Sequence, residues 1–290
     1  MCSVTINKKI KYKLDYNNFY KLSLTGLKGG HSGDDIDKNR ANAIKIAIKI
    51  LNSIDDVKLS SIDFGMKDNV IPNYGYIIFS SNKCIDDIKR KIESLDFKLC
   101  NDDINFRYTL EKVNNNSVIE ESKNTISLLT KIKDGLIEVY DDGFPLLSAN
   151  IGKVSIENDE IIIKYSIRSS DKIKEDNMIR NLANLIERNE FSLTIDSIKP
   201  FFSFQKNSEI REMLEASYKD LYGKNAIIKK VHACMECGIL SNNIKNLDIC
   251  TIAPTINNCH SVNENVSISS TERVYNWLKD TLKRFNKDGD

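Results

Sequence analysis

The sequence predicts a mixed α/β and α+β chain, with a sheet-and-helix sandwich over residues 1–200 and an α/β segment over residues 201–290. Three observations predict this. Segments of period two and segments of helical period follow one another as strand, helix, strand, strand, helix, strand up to about residue 110. Part of that order recurs between residues 146 and 198, which suggests two related sheet-and-helix units side by side. The composition then shifts near Lys199-Pro200, and helix and strand alternate from there to the end.

Each element has its own signal. Residues 5–25 alternate through Tyr12, Leu14, Tyr16, Tyr20, Leu22 and Leu24, the period of a half-buried strand or hairpin. The glycine-rich run Gly26–Gly33 makes a turn, and Ala43, Ile44, Ala47, Ile48 and Leu51 form a helical stripe after it. Strands are expected at 59–64 and 74–79, bridged by Asn69-Val70-Ile71-Pro72-Asn73, then a helix over 85–95 and a strand over 104–110. That order is the ferredoxin-type open-faced sandwich. Residues 113–121 read as a polar loop and 122–139 as a helix. Strands over 146–155 and 160–169 form a hairpin around Glu157-Asn158-Asp159, followed by a helix over 176–188 and a strand over 192–198. In the last part, helices are expected over 209–222 and 274–285, a turn or helix over 232–240, and strands over 227–231 and 247–252.

Composition excludes several classes of function. Forty-two basic and 41 acidic side chains leave a formal charge of +1, so nothing draws the chain to nucleic acid or to an anionic membrane. No apolar run reaches the roughly 18 residues of a membrane span. The seven cysteines are scattered and odd in number, and Met1-Cys2-Ser3-Val4 leads into polar sequence with no secretory pattern. Reduced thiols in a cytoplasm are the expectation.

The three histidines define the candidate chemistry. His31 stands among Gly29, Gly30 and Gly33, where the backbone can approach another group closely. It could donate a proton or hydrogen bond to a docked group, or it could be a turn residue that tolerates polarity. His260 follows the apolar 247–252 segment at the edge where α/β sheets gather ligands and metals, as a metal ligand or a satisfied loop histidine. His232 and Glu236 are four apart, so a helix would place them on one face. Cys234-x-x-Cys237 with His232 and His260 could be assembled into a zinc site, but a structural zinc site normally shows two paired motifs, and two half-buried thiols fit as well. Arg168, at the end of Tyr165-Ser166-Ile167-Arg168, could clamp a carboxylate with two parallel hydrogen bonds or be solvated. Asn69 could offer an amide to a ligand or close its turn.

Taken together, these segments resemble one family. Gly26-Leu27-Lys28-Gly29-Gly30-His31-Ser32-Gly33 with Arg40-Ala41-Asn42-Ala43 looks like the lid signature of the aminoacyl-histidine (Xaa-His) branch of the M20 metallopeptidases. His232-Ala233-Cys234-Met235-Glu236-Cys237-Gly238 resembles that branch's His-Ala-Gly-Leu-Glu-Cys-Gly. Pro254-Thr255-Ile256 with His260-Ser261 and Glu264 resembles its terminal Pro-Thr-Ile…His-Ser-Pro-Asp-Glu. The matches fall in order from about residue 10 to the end.

The resemblance implies a lid and dimerisation domain over 1–200 and the C-terminal part of a catalytic α/β domain over 201–290. It implies a dipeptide substrate and two metal ions, usually zinc, with manganese or cobalt as alternatives. His260 then matches a metal ligand. His31 matches a lid histidine that stabilises the developing oxyanion, commonly reaching the site of a neighbouring subunit. Asn69 and Arg168 match lid residues gripping the substrate's carboxylate end, and Glu236 lines the site from the catalytic side.

Departures accompany the match. The family's His-x-Asp segment, bridging Asp, Glu-Glu pair and further Asp have no counterpart here, and Glu120-Glu121 lies in the wrong place. Val262-Asn263 replaces Pro-Asp, and Cys234 replaces Gly. The expectation is therefore a partial chain, inactive alone, that works with a separate N-terminal half or in a homodimer. The rival expectations are a non-catalytic dimerisation or peptide-binding relic and a self-contained zinc or redox protein built on Cys234 and Cys237.

Overall fold

The computed structural model describes residues 1–201, 204–205, 207–232, 236–257 and 264–285. They form two compact units. Residues 1–199 with Val231 and His232 make the first, and the remaining described residues make the second.

In the first unit the chain forms β1 (Cys2–Lys9), β2 (Tyr12–Leu14), β3 (Asn18–Thr25) and β4 (Gly30–His31), then α1 (Ala43–Ser53) and β5 (Lys58–Gly65). It continues through β6 (Val70–Ile71), β7 (Gly75–Ser81), α2 (Ile85–Glu93), β8 (Arg107–Val113), β9 (Ser117–Ile119) and α3 (Ser122–Lys131). The unit closes with β10 (Gly135–Val139), β11 (Pro145–Glu157), β12 (Glu160–Ser169), α4 (Lys172–Arg188) and β13 (Ser192–Ile198).

Nine strands make one sheet in the order β13-β1-β12-β11-β5-β7-β3-β8, with β10 also on β11. That order is palindromic in role. β3, β5, β7 and β8 with α1 and α2 form a ferredoxin-type half, in which the first strand lies between the third and fourth. β1, β11, β12 and β13 repeat the arrangement, and the two halves join edge to edge through β5 and β11. The first strand of the second half is thus Cys2–Lys9, which pairs antiparallel with both β12 and β13. The expected strand or hairpin over 5–25 is instead β1 and β3, which belong to different halves, with β2 between them paired to β9.

Hydrophobic burial holds the helices to the sheet. α1 starts at Asn42, whose side chain accepts the Ile44 N–H at 2.9 Å. It buries Ile44, Ile46, Ala47, Ile48, Ile50 and Leu51 against sheet residues such as Leu22, Leu59, Ile62, Ile77 and Ile151. Asn42 also joins the halves. Its Nδ2 donates to the Ile151 carbonyl and to Asp134 Oδ1, each at 3.0 Å, and Asp134 Oδ1 accepts the Ile151 N–H at 2.8 Å.

Several local expectations change. The polar 113–121 segment contains β9, because a partner exists in β2. The expected 122–139 helix stops at Lys131, and Gly135 at φ +88° lets the chain reverse into β10.

The second unit contains α5 (Glu209–Tyr222), α6 (Glu236–Asn243), β14 (Ile256–Asn257), β15 (Asn265–Val266) and α7 (Ile268–Phe285). Ser208 caps α5, and Gly223 in the left-handed region ends it. Trp277 of α7 donates to the Leu214 carbonyl at 2.8 Å and packs edge-on against Tyr218. The expected strands over 227–231 and 247–252 are not formed: among the described residues neither segment has a ladder partner, and alternation alone does not satisfy a strand's backbone. Asp248 instead accepts from Ser208 Oγ at 2.6 Å and from the Ile210 N–H at 3.0 Å, placing an anion at the start of α5.

Candidate active site

The first unit brings three of the nominated residues into one place. β4 pairs with β6, setting Gly30 opposite Ile71 and His31 opposite Val70, and the Ser32 N–H donates to the Asn69 carbonyl at 2.9 Å. The glycine-rich loop and the Asn69 turn are therefore one structure. Gly30 sits at φ +146°, and a Cβ there would strike the Arg40 guanidinium and the Asp35 carboxylate. Those two groups lock the loop. Asp35 accepts the His31 N–H at 2.8 Å, and Arg40 donates to the Gly29 carbonyl at 2.7 Å. Burial alone would raise the Asp35 carboxyl, but Lys38, the His31 N–H and Arg40 hold it below its ordinary value.

The His31 side chain is fixed in turn. Its Nδ1 lies 3.2 Å from the Asp34 N–H and 3.4 Å from Asp34 Oδ2, which leaves Nε2 as the ring nitrogen that can face a docked group.

β11 and β12 supply the floor. Ala149, Ile151, Tyr165 and Ile167 point into the helix-covered core. Ser148, Asn150, Ser166 and Arg168 alternate with them and share the other face, since Ser148 pairs with Arg168 and Asn150 with Ser166. All four polar residues are buried. Asn150 Nδ2 donates to the Asp68 and Val70 carbonyls at 2.8 and 2.9 Å, and Ser166 Oγ to Asp68 at 2.9 Å, which pins the Asn69 turn onto the sheet. Arg168 Nη2 donates to Ser32 Oγ at 3.4 Å. Asn69 Oδ1 is buried and meets no hydrogen-bond donor among the described residues. An acceptor left in that condition costs about 1–3 kcal/mol.

His232 completes the cluster, and sequence reasoning missed it there. It lies outside α6, so it shares no helix face with Glu236. It is instead 3% exposed, with Nε2 2.8 Å from Ser148 Oγ and its ring edge-on to Phe144. Burial, followed by the nearby Arg168 charge, pushes its pKa down to about 4, so the ring is neutral near pH 7. A Cβ built on Gly33 would lie 2.7 Å from the His232 carbonyl oxygen, 3.1 Å from His31 Cε1 and 3.3 Å from Arg168 Cζ. Gly33 thus marks the point where His31, Arg168 and His232 converge. The available signal was that His232 is one of only three histidines.

Glu236 is exposed in the first turn of α6, in the second unit. His260 and Cys234 fall outside the described residues. Cys237 Sγ lies 2.9 Å from Thr251 Oγ1. Among the described residues, no three His, Cys, Asp or Glu side chains come together as a metal site.

No family model matches the chain. The Escherichia coli (strain K12) cytosol non-specific dipeptidase is 30% identical over 278 residues, 91% of this chain and 57% of that protein. The aminoacylhistidine dipeptidase of Vibrio alginolyticus superposes with a TM-score of 0.82 at 23% identity, over 98% of this chain and 61% of that one. The chain therefore spans somewhat more than half the length of these relatives. By sequence it is homologous to the cytosol non-specific dipeptidase, and over the matched length it shares the fold of aminoacylhistidine dipeptidase.

Proposed function

We propose that this chain is the substrate-reading and C-terminal part of a metal-dependent dipeptidase of the Xaa-His type, acting in the cytoplasm. The observation that carries the reading is that half-buried His31 and Asn69, from two joined loops, meet the buried polar strand face that carries Arg168. Arg168 is the cation for a dipeptide's terminal carboxylate, and its planar fork suits two parallel hydrogen bonds. Asn69 Oδ1 is the acceptor that takes a substrate N–H. His31 donates from its ring to the oxygen on which charge develops as the peptide carbonyl is attacked. Glu236, exposed in α6, is assigned as a further substrate-binding residue.

The described residues do not fit a two-zinc site, since no ligand cluster forms among them. We assign His260 as this chain's ligand to zinc, or to manganese or cobalt, and assign the remaining ligands to sequence other than residues 1–290 or to a second subunit. Among the described residues no helix is long and apolar enough to cross a membrane.

The test is hydrolysis of a histidine-containing dipeptide by purified 1–290 with zinc or manganese, alone and with a separately produced segment carrying the missing ligands. The reading predicts no turnover alone and turnover on complementation, lost in His31→Ala and in His260→Ala. Turnover indifferent to both substitutions would overturn it. The same lack of a ligand cluster favours a second reading, a peptide-binding relic, which predicts dipeptide binding with no turnover under any complementation.

A further inference from the structure

His232 carries an inference beyond this reading. An imidazole 3% exposed beside a guanidinium is a costly choice for a position that needs only packing. A phenylalanine would meet Phe144 equally well without desolvating two ring nitrogens. What the imidazole adds is a hydrogen bond between Nε2 and Ser148 Oγ at 2.8 Å. Ser148 stands directly across the β11–β12 ladder from Arg168. The His232 backbone also lies against the His31 loop, because its carbonyl oxygen would be only 2.7 Å from a Cβ built on Gly33, on the side that Arg168 Cζ also faces. The residue therefore touches both supports of the Arg168 guanidinium: the strand neighbour below it and the His31 loop beside it.

We propose that His232, acting through Ser148 and through its own carbonyl, is a positioning residue that holds Arg168 and the His31 loop in register for a substrate carboxylate. The inference rests on the reading of Arg168 as the carboxylate clamp. His232 itself touches no substrate. Its ring anchors Ser148, and its main chain limits how far Arg168 can swing towards Gly33.

The experiment is calorimetric titration of the full chain with a histidine-containing dipeptide and with the same dipeptide amidated at its C terminus. The wild type should prefer the free acid. His232→Phe, which keeps a ring against Phe144 and removes the hydrogen bond, should lower that preference about tenfold, the scale of one lost hydrogen bond in a buried network. Ser148→Ala should do the same, and the double variant should lose little more than either single one. His232→Gln, whose amide can reach Ser148, should recover most of the preference. A purely structural role would weaken acid and amide alike. Unchanged preference in both His232→Phe and Ser148→Ala, or equal loss for both ligands, overturns the inference while leaving the Arg168 reading in place. A wild type that does not distinguish acid from amide removes the Arg168 reading, and this inference with it. If His232→Phe does not fold, Ser148→Ala, which removes only one oxygen, decides.

Discussion

Placing a methyl group at Gly33 probes the centre of the site without touching any nominated side chain. In Gly33→Ala the new Cβ would lie 2.7 Å from the His232 carbonyl oxygen, 3.1 Å from His31 Cε1 and 3.3 Å from Arg168 Cζ. Carbon contacts are optimal near 3.5–4.0 Å, so all three neighbours must move, and the carbonyl belongs to backbone. Gly33 is not among the positive-φ residues, so alanine brings no backbone strain there. Overpacking of this kind costs about 1–3 kcal/mol, against which the stiffer unfolded chain returns about 0.4–1 kcal/mol. A net loss of about 1–2 kcal/mol follows, or a fall in Tm of roughly 3–6 °C for a unit of this size. A guanidinium displaced by a few tenths of an ångström also loses its two-pronged geometry, and dipeptide affinity should drop about tenfold. Thermal melting and calorimetry read both effects. Unchanged Tm with unchanged affinity would show that the three groups do not converge on Gly33.

Two further predictions concern the supports of the site. Asn150→Ala removes both hydrogen bonds to the Asp68 and Val70 carbonyls, so the Ser32 N–H, bonded to Asn69, should exchange with solvent faster. Exchange at the wild-type rate would mean that Asn150 does not pin the turn. The second concerns pH. His232 has its folded pKa lowered to about 4, so the folded state binds fewer protons, and stability falls as pH drops from about 6.5 to 4. Asp134 is pushed up to about 6 by burial, so it contributes in the opposite sense, with stability lost as pH rises from about 4 to 6. Each effect is about 3 kcal/mol, and the two nearly cancel. Asp134→Asn removes one side of the balance, so the variant should lose stability on acidification to pH 4 by about 3 kcal/mol more than wild type does. Parallel pH profiles for the two proteins would contradict this pairing.

Much of the sheet is legible residue by residue, because the cues are local. Tyr165-Ser166-Ile167-Arg168 alternates, and its apolar members do enter the core while Ser166 and Arg168 take the other face. Ser192–Ile198 and Glu209–Tyr222 are strand and helix over the expected residues. The long-range pairings are another matter. Nothing near Cys2–Lys9 announces that it will lie between β12 and β13, more than 150 residues away in sequence. The converse holds for 227–231 and 247–252, whose apolar residues suggest strands that form no ladder among the described residues.

The site divides in the same way. A glycine-rich loop gives His31 a local signature, and a strand end gives one to Arg168. Their meeting around Gly33 depends on two sheet halves joined at β5 and β11, which no window of sequence contains. His232 was read with Glu236 and Cys234 because they are its neighbours in the chain. Its partners in space are Ser148 and Phe144, 84 and 88 positions earlier.

The central claim is that one buried polar face reads a dipeptide's carboxylate end. It is tested most directly by mapping backbone amide shifts of the full chain while a histidine-containing dipeptide is titrated in. The account predicts saturable shifts at His31, Ser32, Gly33, Asn69 and Arg168, with Arg107–Val113 at the far edge of the sheet unmoved. Shifts that cluster away from these residues, or equally large shifts with the amidated dipeptide, would contradict it.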